Sequence, residues 1–269
     1  MTNQLNSVKD YTGNDYPIKK YSRIISLVPS LTDLLFSFGL ENSIVGVTKY
    51  CVLPLHAKDS PRIEVGGTKN PNIQKIISLH PDLVLVNQEE NQLKHYQALI
   101  DAHIPVFVTF PKSVNDAVSL FYDLKILFSI NLVPQLAELE KTLEMVQEKT
   151  KSIKRKKKVF CPIWKKPWMS FNKETFASSM IDICGGENIF NGCTERYPEI
   201  SVKEILEKEP DIILLPDEPY KFQKDDKDKL QDLFQNKKIK IELIHGTFHW
   251  YSFIMIRSLN ELLNIIVND

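Results

Sequence analysis

Between Asn131 and Lys154 the apolar residues Leu132, Leu136, Leu139, Leu143, Val146 and Ile153 follow one another at helical spacing, while Glu, Lys and Gln fill most of the remaining positions. This pattern predicts one amphipathic helix, about 35 Å long at 1.5 Å per residue. A helix of that length equals the width of a small domain, so it constrains the fold more than any other segment. Strand and helix signals alternate over similar lengths on both sides of it. The expected fold is therefore α/β, with two lobes joined by one long backbone helix and a ligand cleft between them. Residues 1–130 form the N-terminal lobe, 131–157 the linking helix and 158–269 the C-terminal lobe. The run Lys154-Arg155-Lys156-Lys157-Lys158 puts cations at the carbonyl end of the helix dipole. With 34 basic and 34 acidic residues in balance, it reads as a solvated helix end rather than a nucleic-acid site.

A chain of 269 residues can build two modest lobes. No run of eighteen apolar residues is present, so no membrane span is expected. The first residues, Met1 to Ser7, are polar and lack the pattern of a secretion signal. The expected location is the cytoplasm, with the periplasm as the alternative if a signal has been removed. Cys51, Cys161, Cys184 and Cys193 form no Cys-x-x-Cys pair. Cys161 and Cys184 lie among apolar residues and read as buried thiols.

Taken in order, Val8 to Ile18 reads as a hairpin turning at Gly13-Asn14. Arg23 to Val28 is a buried strand, and Ser30 is expected to cap a helix from Leu31 to Phe38. Ile44 to Thr48, Leu83 to Val86, Pro105 to Thr109, Lys158 to Ile163, Asp211 to Leu215 and Lys238 to Ile244 are the further strands. Asp225 to Asp228 reads as a charged surface loop. An internal repeat is visible: Ile73 to Val86 matches Val202 to Leu215 position by position, each a short helix, then Pro-Asp, then a buried strand.

In open parallel sheets ligands bind beyond the carboxyl ends of the strands. The residues that follow the expected strands are Tyr50-Cys51, Asn87 to Asn91, Phe110, Trp164 to Trp168 and Phe248 to Tyr251, joined by Tyr197. All three tryptophans, Trp164, Trp168 and Trp250, belong to this set. Aromatic residues at loop tips need something to cover, either the neighbouring lobe or a ligand. Glu89 and Glu90 form a carboxylate pair at a helix start, where compensation of the dipole also explains them. His249 is the histidine of this set. His56, His80, His95, His103 and His245 show no ligand spacing, so no dedicated metal site is expected. Phosphate-binding and nucleophile-elbow motifs are absent.

Several segments resemble a known family. Arg23-Ile24-Ile25-Ser26-Leu27-Val28-Pro29-Ser30-Leu31-Thr32-Asp33, Val45-Gly46-Val47-Thr48-Lys49-Tyr50-Cys51, Cys184-Gly185-Gly186-Glu187-Asn188-Ile189-Phe190 and Tyr197-Pro198-Glu199-Ile200-Ser201 are similar to the helical-backbone substrate-binding proteins. These are the periplasmic cobalamin, haem and siderophore receptors of ABC importers. The resemblance implies two lobes bridged by a rigid helix, with ligand between them. It matches Tyr50 to a tyrosine that contacts cobalamin, and Tyr197 to a position where cobalamin receptors carry a tryptophan. Those receptors have an aromatic residue in the loop matching Gly66 to Asn70 and lack the Glu89-Glu90 pair. Their importer-docking glutamates fall at Gln74 and Lys203, so an importer partner is doubtful by sequence.

The expectation is a monomeric binding protein for a corrinoid or iron chelate, with no intrinsic cofactor, cytoplasmic and not coupled to an importer. Its contacts would come from Tyr50, Cys51, Asn87, Glu89, Glu90, Asn91, Trp164, Lys166, Trp168, Tyr197, Glu199, Phe248, Trp250 and Tyr251. One alternative is a conventional importer subunit whose signal was removed. The other is an enzyme acting on a corrinoid or metal chelate through Cys51, Glu89, Glu90 or His249.

Overall fold

The short, continuous apolar runs become parallel strands buried on both faces, as such runs require. The computed structural model describes residues 6–51, 62–234 and 239–268. The readings placed on Met1 to Leu5, Val52 to Pro54, His56 and Lys238 fall outside them. The chain divides into two units, one of Met1–Pro111, Asn115–Ala137 and Tyr251–Phe253, the other of Lys112–Val114, Glu138–Trp250 and Ile254–Asp269. Among the described residues no helix is long and apolar enough to cross a membrane.

In the first unit the chain runs β1 (Ser7–Lys9), β2 (Asp15–Pro17), β3 (Ile24–Ser26), α1 (Pro29–Ser37), β4 (Ile44–Val47), β5 (Ile63–Glu64), α2 (Ile73–Ser78), β6 (Leu83–Asn87), α3 (Leu93–Asp101), β7 (Val106–Thr109) and α4 (Val114–Leu127). Strands β5-β4-β3-β6-β7 form one parallel sheet in that order. Ile25, Leu27, Val84, Val86 and Val106 pack one core from its strands and their ends. Ser30 does not cap α1. Pro29, whose fixed φ suits a first helical position, starts the helix after Val28, and Ser30 is buried inside it.

The β1–β2 hairpin forms as expected, with Gly13 at φ 87° in its turn. It also completes the edge of the sheet. Pro105 and Thr109 turn their carbonyls towards β6, accepting from Val84 and Gln88, which leaves Val106 and Val108 facing outward. Tyr16 donates its hydroxyl to the Val106 carbonyl. Val108 N–H donates to the Asp10 carboxylate at 3.1 Å, and the Val108 carbonyl accepts from Tyr11 N–H at 2.9 Å. Asp10 is buried, and its other oxygen caps the turn by accepting from the N–H groups of Thr12 and Asn14.

Helix α5 (Pro134–Thr150) is shorter than the expected Asn131–Lys154, at about 25 Å. Pro134 has no N–H to extend the helix backwards and holds Val133 away from helical conformation. Leu132, 79% exposed, therefore lies outside the apolar stripe, whereas Leu136, Leu139 and Val146 are buried. The division between the units falls within α5, after Ala137.

The second unit continues with β8 (Lys157–Phe160), β9 (Trp164–Lys165), β10 (Trp168–Met169), α6 (Phe176–Ile183), β11 (Gly186–Asn188), β12 (Glu199–Ile200), α7 (Val202–Lys208), β13 (Ile212–Pro216), α8 (Lys224–Leu233), β14 (Lys240–Ile244) and α9 (Met255–Val267). Its parallel sheet has the order β11-β8-β13-β14, and a small antiparallel sheet has the order β12-β10-β9. The charged run at Asp225 is not a loop but the first turn of α8. Asp225 and Asp226 sit at its positive end, and Gln223 with Asp226 forms a reciprocal cap.

The internal repeat is structural. Asn72 caps α2 by accepting from Lys75 N–H, and Ser201 caps α7 by accepting from Glu204 N–H. His80 and Glu209, just before the two Pro-Asp pairs, both have positive φ. Asp82 N–H donates to the Arg23 carbonyl at 3.0 Å while its carboxylate accepts from Arg23 N–H at 3.1 Å. Asp211 does the same with Lys158, at 2.8 and 2.7 Å. Each Pro-Asp pair thus clamps its own strand to the start of the neighbouring one.

Candidate functional site

The carboxyl ends of the first sheet gather polar side chains beside the N-terminus of α1. Thr32 donates its hydroxyl to the Cys51 sulfur at 3.0 Å, and Thr48 lies 3.2 Å from the same sulfur. Burial pushes the Cys51 thiol up, and these hydroxyls only partly oppose it. The group is a neutral thiol rather than a nucleophile or a thiolate ligand. Tyr251 belongs to this unit and is buried, with Ser30 and Thr109 beside its hydroxyl. Burial first, and then the Glu90 carboxylate, hold its phenol well above the usual tyrosine value.

Asn87 and Asn91 build the loop that carries the carboxylate pair. The Asn87 side-chain oxygen accepts from the N–H groups of Glu89 and Glu90 at 2.8 and 3.1 Å. The Asn91 oxygen accepts from Asn87 N–H at 2.8 Å, and its amide donates to the Thr68 and Leu27 carbonyls. The Asn87 amide also donates to the Thr109 hydroxyl at 3.5 Å, so both side chains hold the loop in place. The loop holds Glu89 and Glu90 half-buried. Helix α3 starts only at Leu93, after Gln92, so the pair precedes its first turn. Tyr50 stands 52% exposed, with the Lys49 ammonium 5.0 Å from its ring centre. A Cβ on Gly67 would collide with the Asn70 side-chain oxygen and only touch the Tyr50 ring, so the bare glycine leaves room for Asn70.

In the second unit the segment Trp164 to Trp168 is a hairpin, not an open loop, and its register sorts its side chains. Trp168 pairs with Lys165 and Ile200, while Met169 pairs with Trp164 and Glu199. Paired residues share a face. Trp168 points inward: it stacks on Phe222 at 5.9 Å and 13° and packs on Phe160. Lys165, on the same face, pairs with Asp226. Trp164 takes the other face, 42% exposed, with Met169 and Glu199. Tyr197 is also exposed, with Arg196 6.0 Å from its ring centre, and Lys166 is exposed in the hairpin turn.

The terminal aromatic run divides. Phe248 is buried against His249 at 3.9 Å between ring centres, Trp250 is half-buried, and Tyr251 joins the first unit. Burial lowers the His249 pKa to about 3, and its Nε2 is buried without a hydrogen-bond partner. The imidazole is therefore held in its neutral form. Phe248 and Tyr251 are buried, and Trp168 is half-buried against Phe222 and Phe160. Tyr220, which sequence reasoning missed, meets Trp164 edge to face at 5.6 Å and Phe222 at 4.6 Å. The same strand-end rule would have found it, had the loop after β13 been searched. Among the described residues no three His, Cys, Asp or Glu side chains are grouped to hold a metal ion.

A family model described as periplasmic binding protein matches residues 24–124 and 134–238. The Vitamin B12-binding protein of Pectobacterium atrosepticum is 27% identical over 202 residues, covering 72% of this chain and 71% of that protein. Among solved structures, the periplasmic vitamin B12 binding protein of Vibrio cholerae aligns with a TM-score of 0.77 at 18% identity, over 91% of this chain and 96% of its own. The Ceue protein of Helicobacter pylori with Ni(II) bound aligns with a TM-score of 0.82 at 18% identity, over 97% and 88%.

Proposed function

Because the chain belongs to the periplasmic binding protein family, we propose that it is an importer's substrate-binding subunit for a corrinoid or a metal chelate of similar size. The observation that carries this reading is the likeness to a curated vitamin B12-binding protein over most of the chain. It favours a periplasmic, importer-linked protein over the cytoplasmic, uncoupled one expected from the sequence. The side chains offered to the ligand are among those left exposed or half-exposed at strand ends: Tyr50, Cys51, Glu89, Glu90, Asn91, Trp164, Lys166, Trp168, Tyr197, Glu199 and Trp250. Aromatic faces would cover the ring system, and the charged groups would meet its polar substituents.

The docking positions give this reading its particular character. Gln74 and Lys203 are each the second residue of their repeat helices, α2 and α7. Glu204, next along the helix, already holds one carboxylate oxygen on the cap of α7, accepting from Ser201 N–H at 2.7 Å and from the Ser201 hydroxyl at 2.8 Å, which makes it a poor substitute for a carboxylate at Lys203. An importer that takes this protein would read something other than one carboxylate per unit.

Titration of the purified protein with cyanocobalamin, haemin and a ferric trihydroxamate tests the binding reading. At least one should quench tryptophan emission saturably and give a calorimetric isotherm. Flat responses to all three would refute it.

A further inference from the structure

We propose that the outer edge of β14 is a self-association surface, on which a second copy of this chain lays its own β14 antiparallel to the first. The proposal is independent of the binding reading and departs from the monomer expected from the sequence. The internal repeat identifies the edge. Val84 and Ile213 hold the same place in its two halves, as do Val86 and Leu215. Their register partners are Val106 and Val108 on β7, and Ile241 and Leu243 on β14. β7 and β14 are thus the same edge strand in the two units. Lys240 N–H donates to the Asp211 carbonyl at 3.1 Å, and the Ile244 carbonyl accepts from Asp217 N–H at 3.2 Å. Backbone direction alternates along a strand, so Ile241 and Leu243 turn their N–H and C=O groups away from β13, as Val106 and Val108 turn theirs away from β6. In the first unit the hairpin takes up those groups. In the second unit, among the described residues, no hydrogen bond reaches them. A row of unpaired groups on a sheet edge is a template for another strand.

Charge decides which strand fits. Lys240 and Glu242, opposite in sign, flank Ile241 on the strand. Lys240 donates to the Ile265 and Asn268 carbonyls at the end of α9, both at 3.0 Å. Glu242 lies 3.4 Å from Lys227 and keeps 37% of its side chain exposed. Antiparallel pairing of two such edges must match outward-facing residues with each other, which leaves few registers. Centred on Glu242, it sets two carboxylates directly opposite; centred on Lys240, two ammonium groups. Centred on Leu243, it forfeits the charge pairs and runs past the end of β14. Centred on Ile241, it sets Lys240 of each copy opposite Glu242 of the other. Opposite charges facing across strands stabilise a pair, and like charges destabilise it. The one favoured register is self-complementary, as a twofold dimer requires. It also sets Leu243, 43% exposed in the single chain, opposite the apolar Ile239 of the second copy. An unrelated extended segment would need the same charges in the same order.

Sedimentation velocity of the full chain, over about a hundredfold range of concentration, tests the proposal without any ligand. The weight-average sedimentation coefficient should rise from the monomer towards the dimer. Leu243→Pro removes an outward N–H, leaves the ladder to β13 in place and suits an edge strand. It should stay monomeric throughout. Lys240→Glu and Glu242→Lys should each lose self-association, because like charges then face each other across the pair. An equimolar mixture of these two variants should dimerise again, since every facing pair is then opposite in sign. Urea midpoints confirm that each variant is folded, and rescue on mixing cannot come from misfolding. A wild type that stays monomeric over the whole range overturns the proposal. So does a dimer that Leu243→Pro leaves intact, since the contact is then elsewhere. A mixture of folded Lys240→Glu and Glu242→Lys that stays monomeric overturns the register.

Discussion

Lys165 and Asp226 show how much a single residue can hide from sequence. Their ion pair joins β9 to the first turn of α8, with side chains only 18% and 10% exposed. Burial alone would raise the Asp226 pKa, but the hydrogen bond from Lys165, the Gln223 N–H and nearby ammonium groups outweigh it and leave it lowered. A carboxyl depressed on folding stabilises above its unfolded pKa, and that contribution is lost as pH falls through the folded value. Lys165→Met should therefore cost about 1–3 kcal/mol at pH 7. In urea unfolding followed against pH, its gap to the wild type should narrow below about pH 4. A gap that stays constant down to pH 3 would show that the pair contributes through packing alone. Nothing local announced this pair, because its partners lie 61 positions apart. Trp164 and Trp168 were legible as strand-end aromatics, but their opposite faces were not. Two-residue strands give no alternation to read, and only their pairing separates the inward ring from the outward one.

At the scale of elements, the repeated helix, Pro-Asp and strand were legible because the same physical task recurs in each unit. The carboxylate and N–H of Asp82 and Asp211 grip both backbone groups of one residue beside the adjacent strand. Asp82 also accepts from Ser22 N–H at 2.7 Å. Asp82→Ala and Asp211→Ala should each cost about 1–2 kcal/mol in urea unfolding, the former more. They share no partner, so the double variant should be additive within about 0.5 kcal/mol. Strong non-additivity would mean that the two clamps are coupled. Elsewhere the elements were less legible. Helix α8 has almost no apolar periodicity and begins with acidic residues that resemble a loop; its order comes from the Gln223–Asp226 cap and from Leu230 in the core. Helix α5 was drawn too long because its apolar spacing continues past Pro134, where the backbone cannot follow.

For the molecule as a whole, the balance of 34 basic and 34 acidic residues leaves no net field to steer docking. If the protein serves an importer as proposed, local charges choose the partner, and Gln74 and Lys203 stand where the family resemblance places docking glutamates. Gln74→Glu combined with Lys203→Glu should raise affinity for such an importer in nanodiscs at low salt, and the gain should shrink as salt screens it. No gain at any ionic strength would place docking elsewhere on the surface. The two-unit α/β architecture was legible from the order and spacing of elements, and the class of protein from segments such as Cys184 to Phe190 that resemble a known family. The ligand's identity was not, since it depends on which side of a loop each ring faces. The hairpin at the start of the chain has a consequence of another kind. It occupies the Val106 carbonyl and both backbone groups of Val108, the positions through which β7 would accept a foreign strand. Lys19 and Lys20, exposed just beyond it, are a natural point for proteolytic nicking. A chain that lost its hairpin there would leave the outward backbone groups of Val106 and Val108 unpaired, a free sheet edge open to another strand.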